Sequence, residues 1–295
     1  MKITVLGCGV IGKIWLSYFI KKRYSVQGWL KKPKNFFNFQ IKSVYNIRKI
    51  YQTHSNNFYF LQNSDILLVT LKSWQILAAL RQILPELKKN CSIVIIQNGM
   101  GIQEKLTKIK QPLFFGITTH AGYLKNCTVH HSYYGKTYIG PGNISKYFYR
   151  STMFTLNNVL PKVIWKKNIL YFAWLKLAVN CVINPLSVIY NCKNGELLKY
   201  KKDILTLLYE ISLIMNSKGY NINKKILFKY ILSIIYKTKD NISSMLQDFI
   251  YNKKSEIDYI NGYIIHCSMQ SKIHVPYNTY IFELIKKKES IYLKN

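Results

Sequence analysis

Lys176, Asn180 and Asn184 recur at intervals of four residues in the otherwise apolar stretch LKLAVNCVINP at 175–185. On a helix this spacing stacks the three side chains on one face. A polar stripe on a helix that is apolar elsewhere must find partners, either in a structural hydrogen-bond network or in a substrate cleft. The lysine favours the cleft, because an amine in an apolar setting is able to act as a proton donor. Pro185 is expected to kink or end the helix.

A second constellation stands near the N-terminus, where Gly7, Cys8, Gly9, Val10, Ile11 and Gly12 form G-x-G-x-x-G. It follows a β-branched run at 2–6 and precedes a helical spacing of Ile14, Trp15, Tyr18 and Phe19. In that context the first glycine permits the turn, the second lets the backbone approach a pyrophosphate, and the third lets helix pack on strand. About 20 residues further on, where an acid would bind a ribose 2′-hydroxyl, the chain reads Trp29, Leu30, Lys31, Lys32, Pro33, Lys34. The missing acid and the lysines, Lys31 first, suit a 2′-phosphate, although lysine is abundant throughout. Lys72, just after an apolar run, is a second candidate for phosphate or ribose. Asn98, with Gly99 and Gly101, follows another apolar run and reads equally well as an ordinary turn or as a donor to nicotinamide or substrate.

The segment 241–248, Asn-Ile-Ser-Ser-Met-Leu-Gln-Asp, looks like a helix start, with Ser244 and Gln247 as a capping box. Its donors could also hold a substrate carboxylate. Glu256 and Asp258 are two of only 12 acidic residues in the chain, so an acid inside the following helix invites a role beyond a solvated face.

These residues need a scaffold. Strand candidates at 2–6, 24–30, 66–71, 92–96 and 113–118 alternate with helix candidates at 13–22 and 74–87. That alternation predicts a doubly wound parallel sheet of Rossmann type with right-handed crossovers. Residues 7–12, 70–75 and 98–101 then fall at carboxyl ends of strands, where ligands of such sheets bind. Near 161–168 the character changes. Beyond it the periodicity is helical, over 170–190, 196–218 ending before Gly219, 223–237 and 245–271, with Pro276 barring helix before a last one. The fold class is therefore α/β, an N-terminal Rossmann-type domain over 1–167 followed by an all-helical domain over 168–295.

Composition limits the alternatives. The chain has 295 residues, 49% of them hydrophobic, enough for a sizeable core and for one large or two ordinary domains. No signal-peptide pattern is present, and the most apolar stretch carries Lys176, Asn180, Asn184 and Pro185, so no membrane partner and a cytoplasmic location are expected. The six cysteines show no C-x-x-C pair or zinc spacing, and adjacent His130 and His131 cannot face one ligand from a regular element. Free thiols and no metal are expected. The formal charge of +31 invites a nucleic-acid partner. Only four of the 43 basic residues are arginine, and abundant Lys, Asn, Ile and Tyr all share A/T-rich codons. Mutational bias in an A/T-rich genome would produce this charge without selection for a partner, and no nucleic-acid partner is expected.

Taken together, GCGVIG at 7–12, VTLKSWQ at 69–75, QNGMG at 97–101, TTHAG at 118–122, WLKLAVNCVINPL at 174–186, NCKNGEL at 191–197, NISSMLQD at 241–248, EIDYING at 256–262 and KKKES at 286–290 closely resemble the ketopantoate reductase family. These enzymes use NADPH to reduce 2-dehydropantoate (ketopantoate) to (R)-pantoate in pantothenate biosynthesis. The resemblance runs nearly end to end and is weakest over 34–60 and 143–157. It implies an NADPH site of residues 7–12, Lys72, Asn98, Gly122 and Glu256. It implies Lys176 as general acid, Glu256 beside it setting its charge state, and Asn98, Asn180, Asn184, Asn194, Asn241 and Ser244 holding the substrate. Residues 1–167 would then bind NADP and 168–295 the substrate. Relatives commonly carry Arg where this chain has Lys31, which weakens the expected grip on the 2′-phosphate. A monomer or weak homodimer is expected. Other readings are a related NADP-dependent 2- or 3-hydroxy acid dehydrogenase, a basic nucleic-acid binder on a retained Rossmann fold, and a nearly inactive enzyme.

Overall fold

The computed structural model of the chain describes residues 1–143, 146–160 and 162–293, with the side chains of 146–149 outside that description. Two compact units emerge, one of residues 1–97 and 102–169, the other of residues 98–101 and 170–295. Pro161, which opens the expected change of character, lies outside the described residues.

The first unit is built on an eleven-stranded mixed sheet. Its centre is parallel, in the order β7 (Leu113–Thr118), β6 (Ser92–Ile96), β5 (Ile66–Val69), β1 (Lys2–Leu6), β2 (Ser25–Trp29), β4 (Arg48–Ser55). The strands β5 and β6 are buried along their whole length, as unbroken Val/Ile/Leu runs covered on both faces should be. Helix α1 (Val10–Lys21) packs Ile14, Trp15 and Phe19 into the core with Ile3, Val5, Ile66, Leu68 and Val94. Between them, α2 (Phe58–Gln62) and α3 (Ser73–Ile83) complete the crossovers from β4 and β5. The strand order reverses between β1 and β5, the switch point of a doubly wound sheet.

The sheet extends beyond that parallel centre. The strand β3 (Phe36–Lys42) pairs antiparallel with β4; β8 (Ala121–Lys125) pairs antiparallel with β9 (Thr128–Tyr133), which runs parallel to β3; β10 (Thr137–Pro141) pairs antiparallel with β7 and parallel with β11 (Val163–Trp165). Helix α4 (Lys146–Val159) precedes β11. These ribbons fall largely in stretches rich in Asn, Tyr and Lys, whose one-sided burial leaves no continuous apolar run to read. Alternation puts His131 inside, 3.2 Å from His120, and turns His130 out to stack on Tyr123.

The second unit is helical: α5 (Ile169–Ile189), α6 (Lys201–Ser217), α7 (Lys224–Lys237), α8 (Ser244–Ile250), α9 (Asn261–Ser271) and α10 (Pro276–Leu293), with 3₁₀ turns at Asn194–Tyr200 and Ile257–Tyr259. Its core gathers Trp174, Leu177, Cys181, Leu186, Ile211, Ile231, Met245, Ile264 and Ile285. Although α5 is long and apolar enough to cross a membrane, 61% of its most apolar window is buried within the fold, and it supplies much of this core. Gly219 takes φ +83° just past α6, as a helix stop requires.

Of the two outcomes expected at Pro185, the ending does not occur: α5 continues through it to Ile189, close to the helix expected over 170–190. Two expectations are corrected here. The single helix expected over 245–271 is two, α8 and α9, so Glu256 lies in the break between them, not inside a helix. The cap of α8 is Ser243, whose hydroxyl accepts from the Leu246 N–H at 3.0 Å, while Ser244 is the first helical residue and Gln247 donates to the Ile242 carbonyl. Adjacent serines offer the same cap chemistry, and burial of Ser243 against Ser187, 2.6 Å away, selects the first.

Candidate active site

In the first unit the glycine turn closes between β1 and α1. Gly7 takes φ +94°, a region costly to residues with a side chain, and its carbonyl accepts from the Thr70 hydroxyl at 2.6 Å. Thr70 directly follows β5, so the bond ties the two strand ends that flank the switch point. A Cβ on Gly12 would lie 2.0 Å from the Gly7 carbonyl oxygen. The third glycine therefore brings α1 against the turn itself. A Cβ on Gly9 would meet nothing within 4 Å. The space before Gly9 is open, and the first turn of α1 has neither a side-chain cap nor an acid. Uncapped N–H groups beside open space form an anion cradle that fits a pyrophosphate. The Cys8 thiol turns inward toward the Val5 and Trp29 carbonyls, and burial pushes it up to about 12. Val10 and Ile11 open α1.

Lys31 is exposed just past the carboxyl end of β2. The residue that holds this end escapes sequence reading: Asn56, at φ +55°, accepts from the Leu30 N–H and donates to the Leu30 carbonyl. An Asn in the left-handed region is a usable signal in principle, but in a chain so rich in Asn it does not stand out. Lys72 caps α3, its backbone N–H donating to the Gln75 side chain at 3.2 Å. Gly122 has a packing role: a Cβ there would lie 2.7 Å from the His130 carbonyl and 3.0 Å from Val10 at the start of α1.

In the second unit the polar stripe is assembled. Lys176 and Asn180 are half-buried and Asn184 is buried on α5. Asn180 donates to the Asn98 carbonyl at 3.5 Å, and the Asn98 amide donates to the buried Glu256 carboxylate at 3.4 Å. The Met100 N–H donates to the Tyr259 carbonyl, fixing the 98–101 loop to the segment that carries Glu256. That segment is further held by the Ser255 N–H on Glu289 and by Lys286 on Asp258. Burial pulls the Lys176 ammonium down to about 8, and the field of Glu256 opposes the fall. Asn194 donates its amide to Thr238, and its N–H bonds the Asn241 carbonyl. The Asn194 side-chain oxygen is buried without a hydrogen-bond partner. Ser244 is exposed beside the buried cap Ser243. Lys176, Asn180, Asn98 and Glu256 thus form one cluster, with Asn194 and Asn241 forming a second. Among the described residues no group of three or more His, Cys, Asp or Glu could hold a metal, and all six cysteines are free.

A glycine turn with an open anion cradle at the switch point, and a lysine of lowered basicity among asparagines, define an oxidoreductase with an NAD(P)-binding Rossmann-type fold. Family models described as "Ketopantoate reductase PanE/ApbA" and its C-terminal part match residues 3–143 and 168–289. A 2-dehydropantoate 2-reductase from Shigella flexneri is 41% identical over 296 residues, covering 99% of this chain and 96% of that protein. The chain belongs to the ketopantoate reductase family and is an oxidoreductase of that type. Among solved structures, a D-mandelate dehydrogenase with NADH and anilino(oxo)acetate superposes with a TM-score of 0.90 at 20% identity, covering 99% and 100% of the two chains. A dimeric ketopantoate reductase from Staphylococcus aureus superposes with a TM-score of 0.83 at 18% identity, covering 99% and 100%. Both are similar in fold.

Proposed function

We propose that this protein reduces the C2 ketone of ketopantoate to (R)-pantoate with NADPH, in pantothenate biosynthesis. The observation that carries the reading is Lys176, an amine of lowered basicity on a polar helix face beside Glu256. Division of labour follows the domains expected from the sequence, 1–167 for NADP and 168–295 for substrate.

Residues 7–12, Lys31, Lys72, Asn98, Gly122 and Glu256 would hold NADPH, the glycine turn its pyrophosphate and the lysines its phosphorylated ribose, and the cofactor would supply a hydride when bound. Lys176 holds a proton on Nζ at neutral pH and passes it to the C2 oxygen as negative charge develops there. Glu256 keeps that proton on Lys176 against the cost of burial. Asn98, Asn180 and Asn184 orient the ketone and carboxylate. The unpartnered oxygen of Asn194 suits a substrate hydroxyl as donor, with Asn241 and Ser244 completing the contact. A positioned ammonium supplies both charge stabilisation and proton, so this chemistry requires no metal. A monomer or weak homodimer in the cytoplasm is the proposed working form, with neither nucleic acid nor membrane as partner.

The test is NADPH oxidation by wild type and Lys176→Ala with ketopantoate and with other 2-keto acids. Rapid turnover of ketopantoate, lost in the variant, is expected. A folded, NADPH-binding wild type that turns over only other keto acids would move the assignment to a related 2-hydroxy acid dehydrogenase.

A further inference from the structure

Pro185 sits inside α5, four residues after Cys181. A proline has no N–H, so the Cys181 carbonyl loses the helical donor that every neighbouring carbonyl of α5 is entitled to. Cys181 is fully buried between Asn180 and Val182, where an orphaned acceptor is costly. The replacement donor comes from another helix: Asn261 Nδ2, on the first residue of α9, lies 3.1 Å from the Cys181 oxygen. The same Nδ2 donates to Asn278 Oδ1 at 3.1 Å, spending both its hydrogens. Asn278 Nδ2 in turn donates to Glu210 at 2.8 Å, and Glu210 accepts the Tyr277 and Asn278 N–H groups at the start of α10. Asn261 and Asn278 have no exposure and Glu210 is 5% exposed.

The relay therefore joins α6, α10 and α9 to one carbonyl of the helix that bears Lys176 and Asn180. Asn261 also stands five residues after Glu256, separated from it by a single 3₁₀ turn. We infer that Asn261 is a positioning residue: by taking the helical donor's place opposite Pro185, it fixes α5 against the Glu256 segment and so sets the spacing of Lys176 from Glu256. The inference rests on the reading of Lys176 as proton donor. Glu256 is the charged group that acts on Lys176. The other acids that meet its segment are engaged elsewhere, Asp258 by Lys286 and Glu289 of α10 by Lys286 and the Ser255 N–H.

The experiment compares wild type, Asn261→Leu, Pro185→Ala and the double variant by thermal unfolding and by the pH profile of kcat/KM. Leucine keeps the branched outline and the number of heavy atoms and removes the donor. Asn261→Leu is expected to lose about 10-fold or more in kcat/KM, the scale of a displaced catalytic group, and to move the basic limb to lower pH as Glu256 loosens from Lys176. Alanine at 185 returns an N–H to the Cys181 carbonyl, so the double variant is expected to recover much of the stability and of the limb position. A limb unmoved in Asn261→Leu, with activity falling only as stability falls, overturns the positioning role. Equal effects of Asn261→Leu with and without Pro185→Ala overturn the carbonyl exchange. If Asn261→Leu does not fold, Asn278→Ala, which frees Asn261 without orphaning Cys181, replaces it; a smaller shift of the limb in the same direction is expected, and none overturns the role. A wild type inactive on ketopantoate would sink the substrate assignment instead, while the unfolding data would still report whether positions 185 and 261 are coupled.

Discussion

The two units build their sites from different material. The first uses backbone: three glycines, a left-handed turn and the uncapped N–H groups of α1. The second uses side chains, Lys176, Asn180, Asn98 and Glu256, on a helix and in two irregular segments. A backbone site fails when a carbon atom is added, whereas a side-chain site fails when a proton or a charge is removed. Substitutions in the two units should therefore damage different quantities.

The largest effect is expected at Lys176. Lys176→Ala should lower kcat by about 10²- to 10⁴-fold, the usual worth of a positioned general acid, while NADPH binding and thermal stability stay near wild type. Retention of more than a tenth of kcat would remove Lys176 from the chemistry and weaken the contrast.

The glycine turn sharpens the comparison from the other side, because its glycines are unequal. Gly12→Ala forces a Cβ to 2.0 Å from a backbone oxygen and should destabilise the first unit by about 3 kcal/mol or more, as overpacking does. Gly9→Ala meets open space, so its melting temperature should match wild type while NADPH affinity falls by roughly 10-fold, or ~1.4 kcal/mol. Equal NADPH affinity in Gly9→Ala, measured by fluorescence titration, would mean that no close approach occurs at this position.

The pH profile separates the units again. Lys176 is held down to about 8; with Lys176 as the proposed proton donor the reduction needs its protonated form, so kcat/KM should be level below that value and fall above it. Glu256→Gln removes the charge that favours the ammonium, so the limb should move to lower pH. Burial alone would then govern the amine. A limb that stays in place would show that Glu256 does not act on Lys176. NADPH affinity in Lys176→Ala should be free of this limb.

The same contrast explains what was legible in the sequence. The glycine turn and its flanking strands are local: residues 2–12 carry strand, turn and helix start without help from distant residues, and β6 and β7 run over the residues read from their apolar runs. The Lys176 stripe is equally local, because spacing on one helix fixes the shared face. Its partners were not legible from spacing. Asn98 and Glu256 are 158 residues apart, and their pairing was suggested only by family resemblance. The cap at Ser243 could not be separated from Ser244 without knowing that Ser187 is opposite it. Asn261 lay inside a recognised motif, EIDYING, yet its partner is a carbonyl orphaned by a proline 76 positions earlier, a fact of packing with no sequence period. The antiparallel ribbons were missed because strands with one wetted face, in an Asn- and Lys-rich chain, carry weak alternation.

The smallest expected effect tests where the two kinds of site meet the same ligand chemistry differently. Lys31 is a side chain added to a backbone site, exposed beyond β2 in a loop anchored by Asn56 on Leu30 and by Ser55 on Lys34. An exposed ammonium facing a phosphate is screened by water and salt, so Lys31→Ala should reduce the preference for NADPH over NADH by only about 2- to 5-fold, the worth of one surface charge pair. The loss should shrink as salt rises. Lys31→Arg should increase the preference, since a guanidinium offers a two-pronged contact to the phosphate where an ammonium offers a point charge. Asn56→Ala should reproduce part of the Lys31→Ala loss without touching the charge, because it removes one of the two anchors of the loop that presents Lys31. The ratio of kcat/KM for the two cofactors at low and high salt checks all three. A ratio unchanged in Lys31→Ala would assign discrimination of the 2′-phosphate to the absence of an acid at the end of β2 together with Lys72, and make Lys31 one more of the chain's many surface lysines.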